Sequence, residues 1–440
     1  MGLILACRFL HAPAELKSLS ALGRPSFVHG RKKSPHVDKH RPAHHCLRMV
    51  TNTATAPAIA RRDFLKLLGL GGLAGGGLVL VGLPGCGYYE AETGEAFAPW
   101  RFPTGDARPE REAARAALLA ASPHNTQPWG LVVSETRIDV VARRDRSLGT
   151  LDPQLRELHI GLGCAIENVA IAARALGREP SVTLMPDATN ELLVARIDLA
   201  PQAPSESSLF DAIPRRHTNR GAYADGVTIP GLEAALGSVN VEPGVTVRVL
   251  ASADERARFR DETVAATRAI IDDEEMSVDN DRWYRHTKDD IERFRDGVTL
   301  DASGLGAATN FFGKIGARPS RQTSDSYWLD ATKNRQATAS AFVLLMTSDE
   351  GSRADQLRLG RTYQRMHLWA TSVNLAMQPL NQLPERRDRE ETSGSPSRFG
   401  DALTDLAGEA GRRVQMAFRI GYPWDDASAS PRRPLEWVLA

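Results

Sequence analysis

The sequence predicts an α+β protein built from two tandem halves. Its 440 residues are 42% hydrophobic and 25% charged, an ordinary globular composition with enough length for two or three domains. Segments with helical periodicity alternate with short strand-like runs. One long apolar helical segment occurs in each half, at Leu158–Leu176 and Leu359–Met377, and each runs into an extended segment. This recurrence indicates a duplicated unit rather than an array of short repeats.

The first half is assigned to residues 108–205. Its Ala- and Leu-rich opening predicts a helix, and its long apolar helix should stop at Gly177, because glycine is typical just beyond a helix end. A Pro- and Ser-rich stretch near residue 205 marks the boundary. The predicted elements are a helix at Pro109–Ala121, strands at Leu131–Val133 and Ile138–Val141, the helix Leu158–Leu176, and strands at Ser181–Met185 and Glu191–Leu199.

The second half, residues 206–440, repeats this theme. Within it, residues 273–335 are acidic at first and then rich in aromatic residues and glycine. An insertion or lid is one interpretation of this segment, and ordinary helices of the second core are the other. The predicted elements are strand Thr246–Leu250, helix Ala253–Asp272, strand Ala339–Thr347, helix Leu359–Met377 and strand Val414–Ile420.

Charge is distributed unevenly along the chain. Residues 1–48 hold nine of the 55 Lys and Arg and two of the 54 Asp and Glu, which leaves 46 basic against 52 acidic residues in 49–440. This acidic body argues against a nucleic-acid partner, which would require clustered positive charge. Residues 1–48 also hold six of the eleven His, but in no metal-ligand spacing, so no metal is assigned. Disorder, or a start codon chosen too far upstream of Met49, is the favoured interpretation.

Residues 49–86 resemble a twin-arginine export signal. Arg61 and Arg62 are followed by Phe64 and Lys66, and then by a glycine-diluted apolar run of about 17 residues, which is marginal as a membrane span. The twin-arginine route carries folded proteins, so it suits a cofactor that is bound before transport. The expected location is the periplasm or the outer face of the cell envelope, with the twin-arginine translocase as a transient partner.

The end of this signal, Leu83-Pro84-Gly85-Cys86, resembles a lipobox. Cys86 is therefore a candidate lipid anchor, although Pro84 departs from the usual small residue. Residues 87–107 are expected to form an extended linker. Cleavage before Cys86 would leave only Cys86 and Cys164 in the mature chain, so no disulfide framework is expected. Cys164, His159 and His367 are interpreted as buried packing residues on helices.

A polar segment enclosed by prolines, Ser122-Pro123-His124-Asn125-Thr126-Gln127-Pro128-Trp129, lies between the first predicted helix and the first strand. The prolines restrict its backbone, and its Asn and Gln side chains can both donate and accept hydrogen bonds. Two interpretations follow from these residues alone. A helix-end turn with a packed Trp is favoured by composition, and a rigid loop for a planar heterocycle is the alternative.

This segment resembles the flavin-contacting loop of the nitroreductase superfamily, and residues from about 108 to 440 are similar to the Acg family of FMN-binding proteins within it. Three further segments match in order: Arg215–Arg220 is similar to the motif that grips the FMN phosphate, Met377–Asn381 to the loop that faces flavin N5, and Pro431–Glu436 to the closing segment. The planar guanidinium group of arginine can donate two parallel hydrogen bonds to the oxygen atoms of a phosphate dianion. The resemblance implies FMN contacts at Ser122, His124, Asn125, Gln127, Arg215, Arg216, Thr218, Arg220, Pro379, Leu380, Asn381, Arg432 and Arg433.

Two departures from the family pattern concern single contacts. Thr218 or His217 stands near the position where the family has Ser, which puts the hydroxyl contact in doubt. Asn381 stands where many relatives carry an acidic residue, but the implied contact there is made by the main chain.

The resemblance implies two tandem nitroreductase-like domains that form an intrachain pseudo-dimer. The amide-rich loop occurs only in the first half and the arginine motif only in the second, so a fused pair would retain one composite site and bind one FMN per chain. The implied function is an FMN-dependent oxidoreductase that transfers hydride or electrons at flavin N5 between a small-molecule donor and acceptor, with no catalytic side chain assigned. A non-catalytic FMN storage or sequestration protein and a binding module that has lost the flavin are the alternatives.

Overall fold

Two four-stranded antiparallel sheets organise the computed structural model, which describes residues 89–408 and 413–440. The first sheet has the order β1-β2-β4-β3 and the second β5-β8-β10-β9, while β6 and β7 form a separate two-residue parallel pair. The strands are β1 (Trp129–Ser134), β2 (Arg137–Ala142), β3 (Arg178–Leu184), β4 (Leu193–Pro201), β5 (Thr246–Leu250), β6 (Tyr284–Arg285), β7 (Val298–Thr299), β8 (Ala341–Thr347), β9 (Ala376–Pro379) and β10 (Arg413–Gly421).

Helices surround and connect these sheets. The α-helices are α1 (Pro109–Leu118), α2 (Arg156–Ala175), α3 (Ser208–Ala212), α4 (Leu232–Val239), α5 (Ala253–Asp272), α6 (Glu274–Asp281), α7 (Lys288–Phe294), α8 (Ala307–Ile315), α9 (Arg321–Ala331), α10 (Arg353–Ser372), α11 (Gln382–Ser393), α12 (Arg398–Ala407) and α13 (Leu435–Val438). None of the helices in the described part of the chain is both long and apolar enough to cross a membrane. The predicted α+β class with two tandem halves is confirmed, because each half holds one four-stranded sheet and one long helix, α2 or α10, that packs against the other half.

The two long helices cross at a pair of glycines. A Cβ built on Gly163 of α2 would stand 2.1 Å from the carbonyl oxygen of Leu357, and one built on Gly360 of α10 would stand 2.0 Å from that of Ile160. No side chain larger than hydrogen fits at either position without moving the backbone. One hydrophobic core is continuous across this crossing, since it contains buried residues of both sheets and both helices.

A buried polar cluster also joins the halves, at the beginning of α2. Arg156 donates from Nε to Asp388 Oδ2 at 2.8 Å, and Asp152 accepts from the backbone N–H of Glu157 at 3.0 Å, which caps α2. Burial raises the pKa of Glu157 to about 7 and raises the pKa of Asp152 and Glu385 above the ordinary values. Burial therefore favours the protonated form of these carboxyl groups.

Two sequence-based boundaries are corrected. The helix predicted at Leu359–Met377 begins earlier and ends at Ser372, because the residues that follow turn and pair with β10 as β9. Part of the expected linker at 87–107 is not extended: Glu95–Trp100 forms a 3-10 helix whose Ala96 is buried with Tyr89 and Ile291. This contact depends on a segment about 200 residues away, which local sequence does not reveal. Residues 1–48, the export signal at 49–86 and Cys86 lie outside the described residues.

The 273–335 segment folds into four helices, α6 to α9, together with the β6–β7 pair. Its helices begin at ordinary capping residues; Asp273, Thr287 and Ser320 each accept a hydrogen bond from the backbone two or three residues into the helix. This helical structure is compatible with both interpretations of the segment, an insertion or lid and helices of the second core. Its contacts, however, reach beyond the second core, as described below.

Candidate functional site

The amide loop, residues 122–127, has an unusual backbone. His124, Asn125 and Gln127 all have positive φ angles, of 44°, 58° and 52°. Such conformations cost free energy for residues other than glycine and persist only where the surroundings impose them. The loop lies directly before β1 and packs against α2, where Pro123 contacts Gly161.

Side chains of the amide loop are bonded to the protein itself. Asn125 Nδ2 donates to the carbonyl oxygen of Pro431 at 2.8 Å, and its Oδ1 accepts from Arg432 Nη1. Gln127 Oε1 accepts from the backbone N–H of Arg433 at 2.8 Å. The loop therefore holds the C-terminal segment, residues 431–433, in place.

Most of the remaining polar groups of the loop have partners as well, but the buried Thr126 hydroxyl has no hydrogen-bond partner within the protein. Gln127 Nε2 donates to the carbonyl oxygen of Arg295 at 2.9 Å, Ser122 Oγ accepts from the backbone N–H of Gln127 at 3.0 Å, and His124 Nε2 lies 2.8 Å from Asn280 Oδ1. These side chains shape the loop. The expectation that its amide side chains offer a free donor and acceptor edge to a heterocycle is thus not met in this conformation.

The arginine segment, residues 215–220, divides into an exposed and a buried part. Arg215 is exposed and donates from Nε to the carbonyl oxygen of Asp211 at 3.2 Å. Arg216 is 1% exposed and donates from Nη2 to the carbonyl oxygen of Leu119 at 3.1 Å. Arg220 donates from Nη1 to the carbonyl oxygen of Ala302 at 2.9 Å. Only the last two of these arginines enter the interior, and Thr218 between them is partly exposed.

Arg432 brings the amide loop and the arginine segment together. While its Nη1 contacts Asn125, its guanidinium carbon lies 4.9 Å above the Trp100 ring, whose centroid is 4.4 Å from that of His217. Burial, with the charges of Arg216 and Arg432 added, lowers the pKa of His217 to about 3. The positive charges of both arginines therefore act on His217.

Three arginines form a cationic cluster: Arg216 and Arg432 are buried, and Arg220 is partly exposed. Burial together with the charges of the other two lowers the pKa of Arg432 well below its ordinary value, and burial likewise lowers the pKa of Arg216 and Arg220. Within residues 89–408 and 413–440, no carboxylate lies at ion-pair distance from any of the three. Buried charge without a counter-charge is costly, so the cluster is suited to an anion.

Buried donors without partners point to the same conclusion. Arg432 Nε, Arg433 Nη1 and His217 Nδ1 are buried and have no hydrogen-bond partner within the protein. Buried polar groups of native proteins are nearly always paired, so each such group requires an explanation. A bound anion would accept from the two guanidinium donors.

The segment at Pro379–Asn381 lies at the edge of this arrangement. The backbone N–H of Asn219 donates to the carbonyl oxygen of Met377 at 3.3 Å, which joins β9 to the arginine segment. Leu380 is buried in the second core, and Asn381 Oδ1 accepts from the backbone N–H of Ala417 at 3.1 Å. The structure therefore brings Met377 to the cluster, whereas the side chains of Leu380 and Asn381 pack against β10.

The 273–335 segment contacts both the amide loop and the cluster. Gly297 accepts from Asn125 Nδ2 at 3.1 Å, Asn280 bonds to His124, and Ala302 accepts from Arg220. Gly304, at φ 68°, would place a Cβ 2.3 Å from the carbonyl carbon of Arg220, so its glycine permits this close approach.

Sequence reasoning did not identify Trp100 or Asn280 as site residues, and it treated His367 only as a core residue. His367 is indeed buried, but its Nδ1 lies 3.4 Å from Arg216 Nη1. No local motif marks these three residues, because their role comes from tertiary contacts alone. No group of three or more His, Cys, Asp or Glu side chains in the part of the chain that the structure describes is arranged to bind a metal ion.

Comparisons with known proteins give relatives of most of the chain. No protein-family model matches the sequence. A Mycobacterium tuberculosis protein named “Putative NAD(P)H nitroreductase” is 28% identical over 353 residues, which cover 79% of this chain and 94% of the relative. A second protein of the same organism, “Putative NAD(P)H nitroreductase acg”, is 25% identical over 339 residues, 75% of this chain and 94% of the relative. These relatives support the nitroreductase superfamily.

Solved structures give weaker likenesses. The FMN-dependent nitroreductase NfnB from Mycobacterium smegmatis, in complex with NADPH, is 18% identical, with a TM-score of 0.33 over 53% of this chain and 97% of its own. A nitroreductase with bound FMN from Bacteroides fragilis is 15% identical, with a TM-score of 0.29 over 52% of this chain and 95% of its own.

Proposed function

We propose that this chain is a nitroreductase-like FMN-dependent oxidoreductase. The observation that carries the proposal is the cluster of Arg216, Arg220 and Arg432 beside a strained loop. Arg216 and Arg432 are buried, and no carboxylate of the described residues lies at ion-pair distance from any of the three. The names of its curated relatives, which describe NAD(P)H nitroreductases, support the same reaction class.

The residues present fit the phosphate end of FMN. Guanidinium groups bind phosphate oxygens through charge-assisted, often bidentate, hydrogen bonds. Arg216, Arg220 and Arg432 would hold the phosphate, and the unpartnered Arg432 Nε and Arg433 Nη1 are donors of the required kind. The same positive charge would favour a ligand that gains negative charge on reduction. Arg215 is excluded from this set because it is exposed.

The chain's residues bind and position, and the cofactor performs the redox step. Bound FMN would supply two-electron redox chemistry between a nicotinamide donor and an acceptor such as a nitroaromatic or a quinone. The amide loop fixes Arg432 through Asn125, and the C-terminal segment through Gln127. No side chain is assigned as a proton donor, because solvent can supply protons in such reactions.

The site would be composite within one chain. Its loop comes from the first half, and its arginines come from the second half and the C-terminal segment. We therefore propose an intrachain pseudo-dimer with one FMN site per chain, formed without a second copy.

Flavin reduction tests the proposed reaction. The full-length protein, loaded with FMN under anaerobic conditions, should lose its yellow absorbance when NADPH or NADH is added, and a nitroaromatic or quinone should restore it. A protein that takes up no FMN would contradict the proposal as a whole.

FMN storage or sequestration is the second candidate, and a specific observation favours it. The 273–335 segment bonds directly to His124, Asn125 and Arg220, so it could restrict the access of a substrate. In that case bound FMN would stay oxidised with both nicotinamide donors, although dithionite would reduce it. Reduction by either nicotinamide would exclude simple storage.

Export is proposed on the sequence of residues 49–86. A twin-arginine signal there would direct the folded protein to the translocase and then to the periplasm or the outer cell-envelope face, with Cys86 as a candidate lipid anchor. Cell fractionation of the wild type and of an R61K/R62K variant tests this. Equal amounts of both proteins outside the cytoplasm would contradict it.

A further inference from the structure

Arg216 is held inside the protein by neutral groups. Its Nε and Nη2 both donate to the carbonyl oxygen of Leu119, at 3.4 and 3.1 Å, and its Nη1 lies 3.4 Å from His367 Nδ1. The guanidinium group has five N–H bonds. These contacts use three of them, which leaves one on each Nη atom for a ligand.

The tautomer of His367 follows from its neighbours. Arginine can only donate hydrogen bonds, so the Nδ1 that faces Arg216 must carry a lone pair. The proton then resides on Nε2, which lies 3.3 Å from the carbonyl oxygen of His217 and donates to it. Burial, together with the charge of Arg216, lowers the pKa of His367 well below its ordinary value, which keeps the ring neutral.

Tyr363 supports this arrangement from one turn earlier in α10. Its hydroxyl lies 3.3 Å from His367 Nδ1, and burial raises the pKa of Tyr363, so the hydroxyl keeps its proton and can donate. The two rings pack edge to face, with centroids 5.7 Å apart. His367 is thereby fixed by contacts at both ring nitrogens.

Other buried arginines in the described part of the chain are held differently. Arg156 pairs with Asp388 at 2.8 Å, and Arg285 pairs with Asp296 at 2.6 Å, so a carboxylate compensates each charge. Arg419 resembles Arg216 in having neutral partners. However, all three of its guanidinium nitrogens donate hydrogen bonds, five in total, to oxygen atoms of the protein. Arg216 differs from these three because it combines an uncompensated charge with N–H bonds to spare, a combination that it shares with Arg432, whose Nε has no partner.

We propose that His367 is a positioning residue that determines specificity for a phosphate monoester. It orients Arg216 as a carboxylate would, but without cancelling its charge, so the full positive charge remains available to a dianionic phosphate. This inference rests on the proposed FMN function and identifies the phosphate, rather than the ring, as the group that Arg216 selects. It makes His367 important for FMN and unimportant for riboflavin, which is the same flavin without the phosphate.

The test compares the dissociation constants of FMN and riboflavin for the full-length protein, measured by flavin fluorescence. The wild type should bind FMN at least about tenfold more tightly than riboflavin, as expected for a charge-assisted contact. H367Q retains a neutral acceptor and a donor, so it should keep most of this ratio. H367E adds a carboxylate of nearly the same size and should bring the ratio close to one, with riboflavin affinity unchanged.

Three results distinguish the outcomes. A wild type that binds no flavin would contradict the proposed function itself. If the wild type prefers FMN and H367E keeps the same ratio of riboflavin to FMN dissociation constants, the role of His367 is overturned while the proposed function stands. Equal losses for FMN and riboflavin in H367E would show a merely structural role and would overturn it too. Should H367E fail to fold, H367L replaces it, because leucine offers Arg216 no acceptor and should lower the ratio relative to H367Q.

Discussion

At the scale of single residues, the way each arginine is held separates the candidate site from the rest of the interior. Arg156 meets a carboxylate, whereas Arg216 and Arg432 meet a carbonyl, an imidazole and an amide. The sequence predicts an anion site at the 215–220 motif. It could not tell that Arg216 is buried while Arg215 is exposed, because a 3-10 turn at Ile213–Arg215 decides which of two neighbours points inward.

Replacing Arg216 tests the residue scale. R216A should raise the dissociation constant of FMN roughly 10- to 100-fold, because a charge-assisted phosphate contact is lost. R215A is the matched control, since Arg215 is the neighbouring arginine but is exposed, and it should change FMN affinity less than about threefold. Equal effects of the two substitutions in an equilibrium titration would remove Arg216 from the site.

At the scale of elements, the crossing of α2 and α10 holds the two halves together. Sequence predicted both helices, and it predicted α5 with correct ends, because the capping box of Ser252 and Glu255 starts that helix. The end of α10 was missed, because apolar residues continue past Ser372 into a strand that only its partner β10 defines. The close approach at Gly163 and Gly360 was equally hidden, since a glycine within an apolar helix does not reveal what it faces.

Alanine substitution at the crossing should destabilise the fold. G163A or G360A places a methyl group within about 2 Å of a backbone oxygen, so we expect a loss of about 1–3 kcal/mol in the free energy of unfolding, or more if the helices cannot separate. G237A is the control, because a Cβ built on Gly237 in α4 would have nothing within 4 Å. Its free energy of unfolding should rise by about 0.5–1 kcal/mol. Chemical denaturation measures all three. Crossing variants as stable as the wild type would refute the contact.

Glu157 should make the interface between the halves pH-sensitive. It faces Arg156, Asp152, Asp388 and Glu385, and burial raises its pKa to about 7 from an ordinary 4.5. An acid with a raised pKa contributes stability that is fully present below its ordinary pKa and is lost as pH rises through the folded value. E157Q stays neutral at every pH. Its free energy of unfolding relative to that of the wild type should therefore rise by up to about 3 kcal/mol between pH 4.5 and 7. A stability difference that does not change over this pH range would contradict the assignment.

At the scale of the whole molecule, one chain brings together what its sequence separates by about 300 residues. The order of motifs predicts that the amide loop, the arginine segment and the C-terminal segment belong to one site. In the structure Arg432 bonds to Asn125 and lies over the Trp100 ring, which packs against His217. The motifs do not reveal the hydrogen-bond partner of each side chain. The loop amides turn out to bond to the protein, and the 273–335 segment turns out to bond to the loop.

The stoichiometry of FMN binding tests the central claim, that segments of both halves jointly hold one cofactor. The full-length protein would be titrated with FMN by fluorescence quenching, with its mass determined by light scattering at each point. We expect saturation at one FMN per chain in a species with the mass of a monomer. Saturation at two FMN per chain, or binding that occurs only in a dimer, would contradict the account.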